Sequence, residues 1–159
     1  MSKQSNLKGL NGKLTRKNAR ILIADTEKAY STLVERALKL SGPAYLKSFS
    51  DFDRAYQEAI ERSQDGENSY NVIILGTQSI QAPFNGWITK FSNIGDAGTL
   101  ILVPALNNND VKRVFRAMVG IGDARDKTEN LDLLQTYLDD LIQLINDKKE
   151  RMRHPLGIF

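Results

Sequence analysis

The chain has 159 residues, a formal net charge of +3 and no cysteine. A chain of this length can bury a full core in one domain of ordinary size. Without cysteine it has no disulfide, thiolate metal site or thiol nucleophile, which is consistent with a cytoplasmic protein. No segment approaches the roughly 20 apolar residues that a membrane span requires, so we expect a soluble protein.

The positive charge is concentrated at the two ends of the chain. Residues 1–18 carry five basic residues and no acid, and residues 148–159 carry four basic residues and one acid, which leaves 13 basic and 18 acidic residues in 19–147. We predict a basic, disordered arm over 1–18, a folded domain over 19–147 and a basic tail over 148–159. Such an arm attracts nucleic acid weakly, although most arms of this composition are simply solvated.

The first half of the predicted domain alternates between apolar runs and amphipathic segments. A continuous apolar run predicts a strand at 20–24, and residues 44–49 are a second predicted strand. Between them, apolar residues at helical spacing predict a helix over 27–40 that stops before Pro43. A second helix is predicted to begin after Ser50, a candidate N-cap.

The second half repeats this alternation. We predict strands at 71–75, 99–103 and 124–126, and helices at 86–94, 107–119 and 130–149. Pro83 is assigned to the loop that precedes the short helix. The helix at 107–119 has one apolar face, which consists of Val111, Val114, Phe115, Met118 and Val119. Alternating elements with continuously apolar strands indicate an α/β fold, a doubly wound five-stranded parallel sheet with helices on both faces.

Function in such sheets collects at the carboxyl ends of the strands, near the switch in strand order. The residues predicted at those ends are Asp25, Thr26 and Glu27 after the first strand, Gly76 after the third, Pro104 after the fourth and Lys127 after the fifth.

These strand-end residues resemble those of receiver domains in bacterial two-component response regulators, and the resemblance covers about residues 19–147. In that family the first strand ends in a run such as Asp-Asp-Glu and the third in the phosphoacceptor aspartate. The fourth ends in threonine or serine followed by alanine, and a Lys-Pro pair follows the fifth. This chain has Asp25-Thr26-Glu27, Gly76, Pro104-Ala105 and Lys127-Thr128 there. The resemblance implies a flavodoxin-like, receiver-like three-layer sandwich.

The departures from the family pattern remove most of its chemistry. Transfer of a phosphoryl group to a carboxylate requires the nucleophile, acidic ligands for a divalent cation, a lysine and a hydroxyl that senses the product. Gly76 lacks the nucleophile, Thr26 replaces an acidic ligand and Pro104 lacks the hydroxyl. Thr77 is no substitute, because adjacent residues of a strand point to opposite faces. We therefore expect a pseudoreceiver that is not an enzyme and acts in bacterial signalling by binding another signalling protein.

Two alternatives remain open at this predicted pocket. Asp25 and Glu27 either hold a cation weakly or form a structural ion pair with Lys127, and we expect no metal and no cofactor. A pocket that is roomy at Gly76 and positive at Lys127 also suggests a second function, a flavodoxin-like domain that binds an anion or small molecule.

The resemblance further implies that the fourth helix, fifth strand and fifth helix form an output or dimerisation face. Candidate residues on it are Arg113, Arg116, Arg125, Asp126, Tyr137, Asp139 and Asp140. Leu133, Tyr137 and Leu144 lie beside the inward stripe of the last helix. If they form an exposed apolar strip, a homodimer through this helix is favoured.

Overall fold

The computed structural model describes residues 12–153, and the parts of the predicted arm and tail at 1–11 and 154–159 lie outside the described residues. The described chain alternates strictly between strands and helices. The strands are β1 (Arg20–Asp25), β2 (Tyr45–Phe49), β3 (Val72–Gly76), β4 (Gly98–Val103) and β5 (Gly122–Asp126). The helices are α1 (Lys28–Lys39), α2 (Phe52–Ser63), α3 (Ala82–Ser92), α4 (Asn108–Ala117) and α5 (Leu131–Arg153).

The strands form one parallel sheet in the order β2-β1-β3-β4-β5. This order confirms the predicted doubly wound, flavodoxin-like sheet. The strand order reverses between β1 and β3, and their final residues, Asp25 and Gly76, are partners in the register. The point at which the strand order reverses therefore lies beside the residues that were predicted from the sequence to form a site.

The core has two halves, one on each face of the sheet. Ile21 and Ile23 of β1 pack with α1 and α5, whereas Leu22 and Ala24 pack on the side of α2, α3 and α4. All residues of β3 and β4 are buried, which explains their unbroken apolar runs. β5 is an edge strand and is only partly covered. None of the helices within residues 12–153 has the length and hydropathy to cross a membrane.

Several element boundaries differ from the predicted ones. Helix α3 begins at Ala82 rather than at residue 86, and Pro83 lies in its first turn, where a missing N–H leaves no hydrogen bond unmade. Helix α4 ends at Ala117, because Met118 is already extended. Helix α5 continues to Arg153, beyond the predicted end at 149. Strand β5 begins at Gly122 and gains its ladder from β4 without an apolar run of its own.

Residues 12–18, here called the strap, pack against α5 instead of forming part of a free arm. Leu14 is 4% exposed and belongs to the core. The Leu14 N–H donates to Asn146 Oδ1 at 2.7 Å, and the Leu14 carbonyl accepts from Asn146 Nδ2 at 2.9 Å. Arg16 contacts Asp139 with two nitrogens, and Lys149 Nζ donates to the Gly12 carbonyl. The polar composition of residues 12–18 predicted a free arm, but Leu14 packs in the core beside α5.

Candidate functional site

The predicted strand-end residues converge at the carboxyl edge of the sheet. Asp25 ends β1, Gly76 ends β3, and Lys127 follows β5 directly. The Lys127 N–H donates to the Val103 carbonyl at 3.0 Å, which continues the β4–β5 ladder past the end of the strand. The Lys127 side chain reaches the loop after β1, where Nζ donates to Glu27 Oε1 across a sequence separation of 100 residues.

Asp25 is the buried carboxylate of the site, with its side chain 3% exposed. Its Oδ1 accepts a hydrogen bond from the Glu27 N–H at 2.8 Å. Its Oδ2 lies 2.8 Å from Lys127 Nζ. Oδ2 has no aligned hydrogen-bond donor within the described part of the chain, so its contact with Lys127 is a charge attraction. The loop after β1 and the lysine after β5 together hold this carboxylate in one orientation.

Lys127 is buried between two carboxylates and an aromatic ring. Its side chain is 7% exposed, and Nζ donates to Glu27 Oε1 at 3.1 Å in addition to its contact with Asp25. Nζ also lies 4.5 Å from the centroid of the Tyr30 ring. Of the two alternatives for Asp25, Glu27 and Lys127, the structure contains the ion pair.

Tyr30 supports this arrangement from α1. Its hydroxyl donates to the Thr128 carbonyl at 3.0 Å and accepts from the Thr128 N–H at 2.9 Å. Burial raises the pKa of Tyr30 to about 12. Sequence placed Tyr30 only on the inward stripe of a helix, and no local pattern indicated that it would contact residues at the start of the β5–α5 loop.

Gly76 lies directly beneath the Asp25 carboxylate. A Cβ atom at position 76 would overlap Asp25 Oδ2 and would stand 2.9 Å from Asp25 Cγ. The prediction of a roomy pocket at Gly76 is therefore wrong, because Asp25 fills the space that the missing side chain leaves. Any larger residue at position 76, aspartate included, requires Asp25 to rotate away.

The remaining predicted pocket residues supply little chemistry. Thr26 is exposed, and Pro104 begins the loop between β4 and α4. In that loop Ala105 has φ +52°, a left-handed conformation that costs energy for a residue with a Cβ atom. The Leu106 N–H donates to Asp126 Oδ1 at 2.5 Å, which holds the loop against β5. Within residues 12–153 there is no group of three or more histidine, cysteine or acidic side chains suited to a metal ion.

The predicted interaction residues do not form one continuous group. Arg125 bonds to Asp123 and Asp140, both at 2.9 Å, and lies 5.2 Å from the centroid of the Tyr137 ring. Asp139 points to the other side of α5, where it pairs with Arg16 of the strap. Asp126 is used by the β4–α4 loop, as described above. Arg113 and Arg116 are exposed on α4.

The predicted apolar faces of the last two helices also require correction. Tyr137, expected in an exposed strip of α5, is only 7% exposed and belongs to the core, whereas Leu133 and Leu144 are each 39% exposed. The sequence predicts Phe115 and Val119 on one apolar face with Val114, in a helix over 107–119. Val114 is fully buried, but Phe115 is 46% and Val119 is 43% exposed. The part of α4 that packs against the core is therefore narrower than its apolar residues predict.

The strand order and the strand-end site define a protein with the fold of response-regulator receiver domains. No family model and no curated protein matches the sequence. Among solved structures, NtrX from Brucella abortus, in complex with ADP, is 18% identical with a TM-score of 0.68, and the match covers 86% of this chain and 29% of that one.

Two shorter proteins match over nearly their whole length. A two-component response regulator from Clostridium difficile is 17% identical with a TM-score of 0.65, and the match covers 81% of this chain and 99% of that one. A pilus assembly-related protein from Burkholderia pseudomallei is 14% identical with a TM-score of 0.65, and the match covers 82% and 94% of the two chains. At these identities the likeness establishes the fold.

Proposed function

We propose that this chain is a receiver-like signalling module that is not phosphorylated at its strand-end site and acts by binding another protein. The observation that carries the proposal is the position of Asp25. Its carboxylate, paired with Lys127, occupies the space beside Gly76 where the acceptor side chain of a phosphorylated receiver would begin.

The electrostatics of the site support the same conclusion. Phosphoryl transfer needs an uncommitted cation to neutralise the oxygens of the transferred group. Lys127 is buried against Asp25 and Glu27, so its charge is already neutralised by two carboxylates. Recruiting it would leave Asp25 buried without a partner, which is costly. Pro104 adds no hydroxyl to report on a bound phosphoryl group.

The structural neighbours support a role in bacterial signalling or assembly through other proteins. They include response regulators and proteins described as pilus assembly components. A receiver-like domain without its phosphorylation chemistry retains helices and loops that a partner can bind. The cytoplasm remains the expected location.

Treatment with acetyl phosphate and Mg²⁺ tests the proposal directly. Intact mass spectrometry is expected to show no phosphorylated species, whereas a response regulator with an aspartate at the position of Gly76 serves as the positive control. A mass increase of one phosphoryl group that maps to Asp25 or another residue of the site would overturn the proposal.

The second candidate function, binding of an anion or small molecule at this site, has less support because Asp25 and Lys127 occupy it. Thermal-shift measurements with inorganic phosphate and nucleotides are expected to show no rise in Tm. A rise that disappears in a Lys127→Met variant would favour the ligand-binding function instead.

Two further interactions that the sequence suggested, with nucleic acid and with a second copy of the chain, are separate proposals. Weak binding of nucleic acid by residues 1–18 predicts that deletion of residues 1–11, which leaves Leu14 and the rest of the strap in place, weakens binding to a generic duplex. Homodimerisation through α5 has Leu133 and Leu144 as its exposed apolar residues, and sedimentation equilibrium of a Leu133→Glu variant tests it.

A further inference from the structure

Helix α4 presents an exposed stripe that combines positive charge with apolar surface. Lys112, Phe115 and Arg116 are spaced at i, i+3 and i+4, which places them along one side of the helix, and Val119 follows two residues after the helix ends. All four are exposed, and the two apolar side chains have nearly half of their surface in contact with solvent. Arg113 is exposed beside this stripe. We call these five residues the α4 surface.

The cations of the α4 surface are not neutralised by the rest of the domain. The side chains of Lys112, Arg113 and Arg116 make no ion pair and no hydrogen bond with any residue in 12–153, in contrast to Arg16 and Arg125, which are paired. The central part of the sequence is acidic overall, and several of its carboxylates have partners outside the α4 surface.

Acidic residues of β5, α5 and α4 each have a defined interaction. Asp123 and Asp140 bind Arg125, and Asp126 accepts from the Leu106 N–H. Asp110 is the one acid within α4, and it lies in the first turn, where a negative charge interacts favourably with the helix dipole. On α3, the exposed Lys90 lies 4.8 Å from the centroid of the Trp87 ring. The surface consequently has an excess of positive charge around two exposed apolar residues.

The helix that carries this surface is held at both ends. At its start, Asn107 Oδ1 accepts from the Asp110 N–H at 2.9 Å. At its end, Thr89 Oγ1 donates to the Ala117 carbonyl at 2.7 Å, and the Val119 N–H donates to the hydroxyl of buried Ser92 at 2.9 Å.

Packing at Gly122 secures the same end. A Cβ atom at that position would stand 2.5 Å from Met118 Cε and 2.7 Å from the Thr99 carbonyl oxygen, so Met118 packs closely only because residue 122 is glycine. With its backbone fixed in this way, α4 loses little conformational freedom when a partner binds.

We propose that the α4 surface binds an acidic segment of a partner protein, which places an apolar side chain against Phe115 and Val119 and its carboxylates near Lys112, Arg113 and Arg116. This inference rests on the proposed function, because it supplies the chemistry of the partner. Charge complementarity orients such a segment and speeds its association. The central apolar residues favour a protein segment over nucleic acid. A nucleic acid binds mainly through its charged phosphates, which gain nothing from Phe115 and Val119.

The experiment is a selection of short random peptides against the full-length chain, with no Mg²⁺ or acetyl phosphate present. We expect the enriched peptides to carry acidic residues on both sides of an aromatic or aliphatic residue. Fluorescence anisotropy with the most enriched peptide then compares the wild type with two variants. The double variant Lys112→Glu/Arg116→Glu and the single variant Phe115→Ala are each expected to weaken binding by about tenfold or more.

A matched control makes the same charge change on the other face of the sheet. The double variant Arg36→Glu/Lys39→Glu alters two exposed cations of α1 and is expected to leave the affinity within about twofold of the wild-type value, since distant exposed charges are screened by salt. Circular dichroism verifies that all variants are folded.

Several results would overturn the inference. These are the absence of enriched peptides, enriched peptides without an excess of acid, equal binding by the α4 variants and the α1 control, and tighter binding of a generic DNA duplex through the same cations. Sedimentation equilibrium gives a further one, a dimer that is lost in Lys112→Glu/Arg116→Glu, because the surface would then bind a second copy of this chain. Phosphorylation of Asp25 would instead refute the proposed function and leave the peptide result unchanged.

Discussion

The position of the Asp25 carboxylate depends on the absence of a side chain at Gly76. The Asp25 carboxylate reaches Lys127 at 2.8 Å only because position 76 has no Cβ atom beneath it. Both residues were predicted as part of the site from the sequence, but Gly76 was interpreted only as the absence of an acceptor side chain. In the structure the same glycine makes room for the buried ion pair of Asp25 and Lys127.

Gly76→Ala is expected to lower the free energy of unfolding by about 1–3 kcal/mol, because the added Cβ displaces the Asp25 carboxylate. Urea denaturation at neutral pH measures the change. Gly86→Ala is the control. A Cβ there has no atom within 4 Å, and alanine within a helix is expected to raise stability by up to about 1 kcal/mol. Equal effects of the two variants would contradict the proposed displacement.

Lys127→Met is expected to cost about 3 kcal/mol of unfolding free energy, since it leaves the Asp25 carboxylate buried without a counter-charge. The double variant Asp25→Asn/Lys127→Met removes both charges and should be more stable than Lys127→Met alone. Thermal and urea unfolding of the two variants test this order. If the double variant were as unstable as Lys127→Met, Lys127 would act through packing and not through its charge.

At the scale of elements, the strap and α4 show how contacts with distant elements override local composition. The strap is polar apart from Leu14, yet Leu14 enters the core and Asn146 of α5 binds its backbone in both directions. Conversely, Phe115 of α4 and Val119 just after it are apolar, and the core does not cover them. The position of each element in the layers, and not its own mean hydropathy, decides which apolar side chains are buried.

Leu14→Ala tests whether the strap is part of the folded domain. We expect it to lower the free energy of unfolding by about 2–4 kcal/mol, the usual cost of removing a buried leucine side chain. Arg16→Ala should cost at most about 1 kcal/mol, because the Arg16–Asp139 pair is largely exposed. Leu40→Ala, at a residue 68% exposed, is the control and should have almost no effect. A similarly small effect of Leu14→Ala would show that the strap detaches readily.

At the scale of the whole molecule, the tyrosines make stability depend on alkaline pH. Burial raises the pKa of Tyr30 to about 12, and burial also raises the pKa of Tyr70 and Tyr137, with a hydrogen bond to Glu58 contributing at Tyr70. The folded state therefore retains phenol protons that the unfolded state releases near pH 10. The contribution of Tyr30 to stability is complete below pH 10 and is lost as the pH rises through about 12.

We expect the free energy of unfolding to fall between pH 10 and about 12, and to fall less steeply in Tyr30→Phe. Urea unfolding over a series of alkaline pH values measures both slopes. Burial lowers the pKa of Lys149, and its titration acts in the opposite direction, so the difference between wild type and Tyr30→Phe is the informative quantity. Identical slopes would mean that Tyr30 does not retain its proton more tightly in the folded state.

Local patterns in the sequence were sufficient to predict the class of fold and the residues of the candidate site. Its strand runs and helical spacings are local patterns, and five alternating pairs permit few arrangements other than a doubly wound parallel sheet. The topology brings the ends of β1, β3 and β5 to one edge, so Asp25, Gly76 and Lys127 were identifiable as neighbours. The lack of a side chain at Gly76 and of a hydroxyl at Pro104 is visible in the sequence for the same reason.

The contacts that those neighbours make could not be predicted from local patterns, because they depend on packing in three dimensions. The rotation of Asp25 over Gly76, the contact of Tyr30 with Thr128, the burial of Leu14 and Tyr137 and the exposure of Phe115 all depend on residues far apart in the chain. Periodicity shows which residues share a face of a helix or strand, but not how much of that face another element covers. Side-chain direction and coverage follow from packing in three dimensions, and they changed Gly76 from a vacant position into one side of a filled site.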